Sequence, residues 1–105
     1  MPKSMFGGIE LEVDENGFIQ ETEKWNEAVA EDIAKIEQAF PMNSERWKLV
    51  NYIRNYYLDY DSAPPIRMLV KQAGSDLKYI YQLFPSGPVK GACKIAGLPK
   101  PDGCV

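Results

Sequence analysis

Ile9-Glu10-Leu11-Glu12-Val13-Asp14-Glu15-Asn16-Gly17-Phe18-Ile19-Gln20 is the stretch that separates this chain from an all-helical protein. Ile9, Leu11 and Val13 alternate with Glu10 and Glu12, the period-two pattern of a strand with one covered face. Asp14-Glu15-Asn16-Gly17 is turn chemistry, because Asn-Gly readily adopts the positive φ angles of a tight hairpin. Phe18-Ile19-Gln20 then returns as a second strand. A two-stranded hairpin is marginal in water, so this one must pack on helices.

The periodicity changes immediately downstream. Trp25, Val29, Ile33, Ile36 and Phe40 recur at helical spacing, and Pro41 is expected to end the run. Asn43 or Ser44 caps a second helix bearing Trp47, Val50, Ile53, Tyr57 and Tyr60. Trp25 and Trp47 read as core residues. Pro65 suits the first turn of a third helix, Ile66 to Ala73, which Gly74 stops. Ser75 caps a fourth, Asp76 to Phe84. Ser86-Gly87-Pro88 opens a short fifth helix to about Ala96, with Gly97 as its stop. The fold class is therefore α+β: a small N-terminal β-hairpin or meander packed on about five helices. A single domain is expected, with residues 1–96 as the body and residues 97–105 as a flexible C-terminal arm.

To the N-terminal side, residues 1–8 lack the apolar core of a secretory signal. No run of about 18 apolar residues occurs, and a cytoplasmic location is expected. The 105 residues hold one modest core, with 45% hydrophobic and 26% charged residues. The net charge of −3 is unevenly spread. Residues 1–61 carry six Lys/Arg against thirteen Asp/Glu, or −7, whereas residues 62–105 carry six against two, or +4. Both cysteines lie in the basic part, which suits an anion or an acidic partner as well as an ordinary solvated face.

There is no histidine, which excludes Ser-His and Cys-His nucleophile pairs and His-containing metal sites. Two cysteines alone cannot close a tetrahedral zinc site, and there is no Cys-x-x-Cys pair of a thiol oxidoreductase. The chemistry therefore rests on Cys93 and Cys104. Cys104 is next to last, where no core is available to bury it. The seven steps from Gly97 to Cys104 reach about 23 Å when extended at roughly 3.3 Å per residue. Pro99 and Pro101 stiffen that arm, and Gly97 and Gly103 act as joints. Cys93 shares a helix with Val89 and Ala92 and by itself reads as a buried thiol. Arg67, Lys90, Lys94 and Lys100 are the cations available to a thiolate or an anion, Arg67 and Lys90 being the candidate contacts.

Three segments carry a family resemblance: Leu83-Phe84-Pro85-Ser86-Gly87-Pro88, Ala92-Cys93-Lys94-Ile95-Ala96-Gly97-Leu98-Pro99-Lys100-Pro101 and Gly103-Cys104-Val105. Together with Trp25-Asn26-Glu27, Glu45-Arg46-Trp47, Ile53-Arg54-Asn55-Tyr56-Tyr57 and Ala63-Pro64-Pro65-Ile66-Arg67, they resemble the DsrC/TusE family of sulfur-carrier proteins. The resemblance runs over nearly the whole chain. It implies that Cys104 meets a sulfur intermediate and that Cys93 closes it into a trisulfide. It also implies partners: the alpha and beta subunits of dissimilatory sulfite reductase and a membrane-bound trisulfide-reducing complex, with a monomer when free. The sirohaem and iron–sulfur cluster belong to that reductase, and this chain binds no cofactor of its own. Relay members for tRNA thiolation keep the terminal cysteine but generally lack the earlier one. They also carry an extra loop before the helix that here holds Tyr79 and Tyr81, and Gly74-Ser75-Asp76-Leu77-Lys78 leaves no room for it. The expectation is therefore the two-cysteine form, the gamma subunit of the reductase, with tRNA thiolation as the alternative. Asp102 departs from the family pattern, in which Thr is common, and puts an anion beside the terminal thiol.

A different class is a helix-turn-helix regulator, for which Val70, Gly74, Leu77 and Ile80 have the spacing. Lys78 is the single basic residue of the would-be recognition helix, Asp76 to Gln82, and phosphate neutralisation needs several. Nucleic acid is thus the disfavoured partner.

Overall fold

A computed structural model describes residues 3–100, apart from the side chain of Val89. Strand β1 (Lys3–Phe6) pairs antiparallel with β2 (Ile9–Glu12), with Lys3 opposite Glu12 and Phe6 opposite Ile9. The connection is Gly7-Gly8, at φ values of 58° and 81°, the two positive angles that a two-residue hairpin turn needs. Gly7 N–H donates to Asp32 Oδ2 at 2.6 Å, which ties the turn to the first helix.

The hairpin therefore lies one strand upstream of the expected one. The chain turns at Asp14–Gly17, but with a positive φ at Gly17 alone, 87°, and not at Asn16 as the Asn-Gly pair suggested; Asp14 Oδ1 accepts from Asn16 N–H at 2.8 Å and from Phe18 N–H at 2.9 Å. The return strand, however, is reduced to a single bridge between Val13 and Ile19. Gln20 N–H donates to Glu12 O at 2.8 Å, but the reciprocal donor, Glu12 N–H, turns to Glu21 Oε1 at 2.9 Å. A side chain has replaced the third strand's carbonyl, and the ladder stops there. The sheet is a meander that ends in one bridge.

After a 3-10 turn at Thr22–Lys24 the chain enters α1 (Glu27–Ile36). Asn26 caps it, its side chain accepting from Val29 N–H. The helix stops four residues before Phe40. Ala39 N–H donates to Ala34 O and Gln38 N–H to Lys35 O, with Gln38 at φ 62°, a Schellman ending without a glycine. Its buried face is Val29, Ala30, Ile33 and Ala34, whereas Ile36 and Phe40 are 64% and 46% exposed. The outer part of the expected apolar stripe has no core to face.

Helix α2 (Ser44–Tyr60) is capped by Asn43, and α3 (Ile66–Ala73) ends on Gly74 as read from the sequence. Helix α4 (Leu77–Leu83) is capped by Asp76 rather than Ser75, the Asp76 side chain accepting from Tyr79 N–H at 3.0 Å. The fifth helical segment contains a π-helix, Pro88–Cys93. Gly91, Ala92 and Ala96 keep this segment slim, and all three are buried. A Cβ on Gly91 would lie 3.0 Å from Cβ of Phe84, so the segment passes directly against that ring's backbone anchor.

The core joins all these layers: Leu11, Phe18 and Ile19 from the meander, Val29 and Ile33 from α1, Val50 and Ile53 from α2, Ile80 and Phe84 from the α4 region, and Ile95 and Leu98 from the last segment. Each such side chain contributes on the order of 1.5–3 kcal/mol on burial. Leu98 is 1% exposed, so the packed body continues past Gly97. The expectation that the arm begins at Gly97 is corrected on that point.

Candidate functional site

Cys93 is the last residue of the π-helix and is 2% exposed. Its carbonyl accepts from Leu98 N–H at 3.2 Å, and Lys94 O accepts from Gly97 N–H at 3.0 Å. These two bonds form a second Schellman ending, this time with the expected glycine, Gly97 at φ 79°. The thiol-bearing residue and the first residues of the C-terminal segment thus share one hydrogen-bonded turn.

The other two carbonyls of that turn are held from outside it. Trp25 Nε1–H donates to Ile95 O at 2.8 Å. Arg54, from α2, donates through one terminal nitrogen to Ala96 O at 3.4 Å and through the other to Thr22 O at 2.7 Å. The guanidinium lies 4.9 Å from the centroid of the Trp25 ring, a cation–π stack. Burial lowers the Arg54 pKa from its ordinary value. Gly97 sits under the same indole: a Cβ there would fall 2.2 Å from Trp25 Cδ1. Glycine is therefore required at 97 by space as well as by its positive φ.

Lys94, one of the cations available to a thiolate by sequence, is paired with a carboxylate. Its Nζ lies 3.0 Å from Glu37 Oε2, with both side chains 13% exposed, and 5.2 Å from the centroid of the Phe18 ring. Glu37 also accepts from Ser86 Oγ at 2.7 Å. That cation is committed to a carboxylate. Arg67, on α3, and Lys90, in the π-helix, are both exposed, with no ion pair among the described residues. Lys100 is exposed as well. Cys104, and with it the expected mobility of the arm and the effect of Asp102, lies outside the described residues.

Trp25, Arg54, Glu37 and Ser86 were not candidate site residues in the sequence. Their only signal was position, since Trp25, Arg54 and Ser86 fall in the stretches that carry the family resemblance. An open groove of ≈ 270 Å³ is lined by Tyr52, Asn55, Tyr56, Asp59, Tyr60 and Met68 and includes no residue of the thiol turn. Among the described residues no group of three His, Cys, Asp or Glu could hold a metal ion, and no helix is long and apolar enough to cross a membrane.

Comparison with known proteins places the chain in a family. The model of the family described as "DsrC like protein" matches residues 5–105. The sulfurtransferase TusE of Salmonella typhimurium is 42% identical over 108 aligned positions, covering 96% of this chain and 98% of that one. Among solved structures, the oxidized gamma subunit of dissimilatory sulfite reductase from Archaeoglobus fulgidus is 46% identical. It has a TM-score of 0.87 and covers 99% of this chain and 100% of its own. The gamma subunit from Pyrobaculum aerophilum is 48% identical, with a TM-score of 0.80, covering 99% of this chain and 95% of its own. Relatives of both kinds span essentially the full length, the solved gamma subunits share the fold, and the chain belongs to the DsrC/TusE family of sulfur carriers.

Proposed function

We propose that this protein receives sulfur on Cys104 and passes it on, acting as a carrier between proteins in the cytoplasm. The thiolate of Cys104 attacks the outer sulfur of a donor persulfide, the donor's inner sulfur leaves as thiolate, and Cys104 then holds the persulfide. The observation that carries the leading form of this reading is the TusE likeness at 42% identity over 96% of the chain. It favours a relay for tRNA thiolation, in which the next protein's thiolate takes the outer sulfur from Cys104.

A second form has its own support. Cys93 is present and held beside the root of the C-terminal segment, and two solved reductase gamma subunits are 46% and 48% identical. In that form the chain is a co-substrate of a dissimilatory sulfite reductase and not an enzyme by itself. The two thiols supply two electrons to a partly reduced, sulfite-derived sulfur and enclose it as a Cys93–S–Cys104 trisulfide. A membrane-bound complex reduces the trisulfide. The alpha and beta subunits of the reductase would be its partners, and the sirohaem and iron–sulfur cluster would be theirs.

Intact mass spectrometry separates the two forms. With a cysteine desulfurase and cysteine as donor, a relay gains about 32 Da on Cys104, and Cys93→Ala gains it equally. With sulfite reductase, sulfite and a reductant, the co-substrate gains an internal trisulfide that Cys93→Ala cannot form. A chain that gains no sulfur from either donor, or gains it after Cys104→Ala, contradicts the carrier reading.

A further inference from the structure

We propose that the open groove along α2 and α3 is a docking site for a proline-rich segment of a partner protein, one that carries a basic residue beside its prolines. The proposal stands on the groove alone and goes beyond either form of the carrier.

Three tyrosines build the groove. Tyr52, Tyr56 and Tyr60 follow one another at steps of four on α2, so they share one face of the helix. The ring centres of Tyr52 and Tyr56 are 6.3 Å apart and those of Tyr56 and Tyr60 4.6 Å, with the planes tilted by 51° and 45°. Met68 lines the groove from α3, and Asn55 and Asp59 complete it. Exposure rises along the ladder, from the half-buried Tyr52 and Tyr56 to Tyr60 at 65%. The three hydroxyls, the Asn55 amide and the Asp59 carboxylate make no hydrogen bond or ion pair among the described residues.

The shape suits a polyproline II helix. The ring centres extend over at most about 11 Å, and one turn of that helix advances about 9 Å. Such a segment is stiff before it binds, and its prolines pack on aromatic side chains. It makes no hydrogen bonds within itself, so its carbonyls need donors. The tyrosine hydroxyls and the Asn55 amide are donors of that kind.

The charge selects a basic neighbour. Asp59 is the one charged residue among those that line the groove. Helix α2 ends there at Tyr60, with Asp61 as its cap and no basic residue in its last turn. A helix C-terminus carries partial negative charge, so acidic residues oppose it. Arg54 is committed to Ala96 O and Thr22 O, and Arg67, which precedes Met68, pairs with neither aspartate. A cation brought by the partner supplies the charge that this helix end lacks. Nucleic-acid bases also stack on aromatic side chains, but their backbone requires a positive groove.

The probe is a synthetic peptide, acetyl-Arg-Ala-Leu-Pro-Pro-Leu-Pro-amide, titrated into the isotopically labelled full-length chain and followed by NMR. Shifts are expected at Tyr56, Tyr60 and the Met68 methyl, with Cys93 and Leu98 unchanged. Tyr56→Ala should weaken binding about tenfold, the loss of a central aromatic anchor. Tyr60→Ala, at an exposed position, should weaken it about threefold, and Asp59→Asn about threefold at low salt and less at high salt. A peptide with alanine for proline, or glutamate for arginine, should bind more weakly than the probe. Absence of shifts in the groove overturns the proposal, as does equal binding of the alanine peptide. Wild-type affinity in both tyrosine variants overturns it too. Self-association that covers these tyrosines, with no response to the peptide, assigns the groove to a second copy and overturns it as well. If Tyr56→Ala does not fold, Tyr60→Ala decides alone.

Discussion

Lys94 Nζ lies 3.0 Å from Glu37 Oε2, and the two side chains, each 13% exposed, join the helix end that carries Cys93 to the end of α1. Glu37→Gln leaves the ammonium in place without its counter-charge in a site with little water. The loss of stability is expected at about 1–2 kcal/mol, above that of an exposed pair and below that of a fully buried one. Thermal unfolding of Glu37→Gln, Lys94→Met and the double variant measures it, with the double variant more stable than the sum of the single losses implies. Additive losses would show that the two groups do not interact.

Gly97 and Gly74 have similar backbones, at φ 79° and 70°, but different surroundings. A Cβ on Gly74 meets nothing within 4 Å, whereas one on Gly97 strikes the Trp25 ring. Gly74→Ala should cost about 1 kcal/mol, the penalty for a left-handed residue. Gly97→Ala should cost at least about 3 kcal/mol, because the indole must also move. At the scale of a 100-residue domain the second change lowers Tm by about 10 °C or more. Equal losses would mean that the indole yields without cost.

The turn and cap chemistry of this fold was legible because it is local. Asn43 and Gly74 act on residues within five positions of themselves, and each took its expected role. The end of α1 was not legible, since Gln38 occupies the left-handed position where the sequence offers no glycine to announce it. Strand β1 was missed because its burial alternates while its residue types do not, the covered side holding Ser4 and Phe6 and the open side Lys3 and an exposed Met5. The site was half legible. Cys93 stood out by its chemistry, but the contact between Trp25 and Ile95 spans 70 positions and leaves no periodic trace. The pairing of Lys94 with Glu37 left no trace for the same reason, because the two lie 57 positions apart.

At 2% exposure, Cys93 is shielded from reagents that must collide with its sulfur. A limiting amount of iodoacetamide added to the reduced native protein should therefore label Cys104 and leave Cys93 intact. Peptide mapping by mass spectrometry assigns the label. In denaturant the two thiols should react at comparable rates. Preferential labelling of Cys93 in the native protein would contradict its burial.

Arg67 and Lys90 are exposed and without ion pairs among the described residues, so Arg67→Ala and Lys90→Ala should each change stability by less than about 0.5 kcal/mol. If these cations meet an anion or an acidic partner, sulfur transfer should slow, and slow more at low salt, where exposed charges act over a longer range. Transfer at the wild-type rate in both variants removes them from the site.

The chain has two tryptophans, and one of them, Trp25, is bonded to the backbone just beyond Cys93. A Trp47→Phe variant therefore carries a single fluorophore, held against a guanidinium and against the root of the C-terminal segment. Its emission wavelength and quenching respond to whether Arg54 stays stacked and whether Ile95 O stays bonded. The protein thus contains its own optical probe of that turn, which can be followed in real time without a dye and without touching either cysteine.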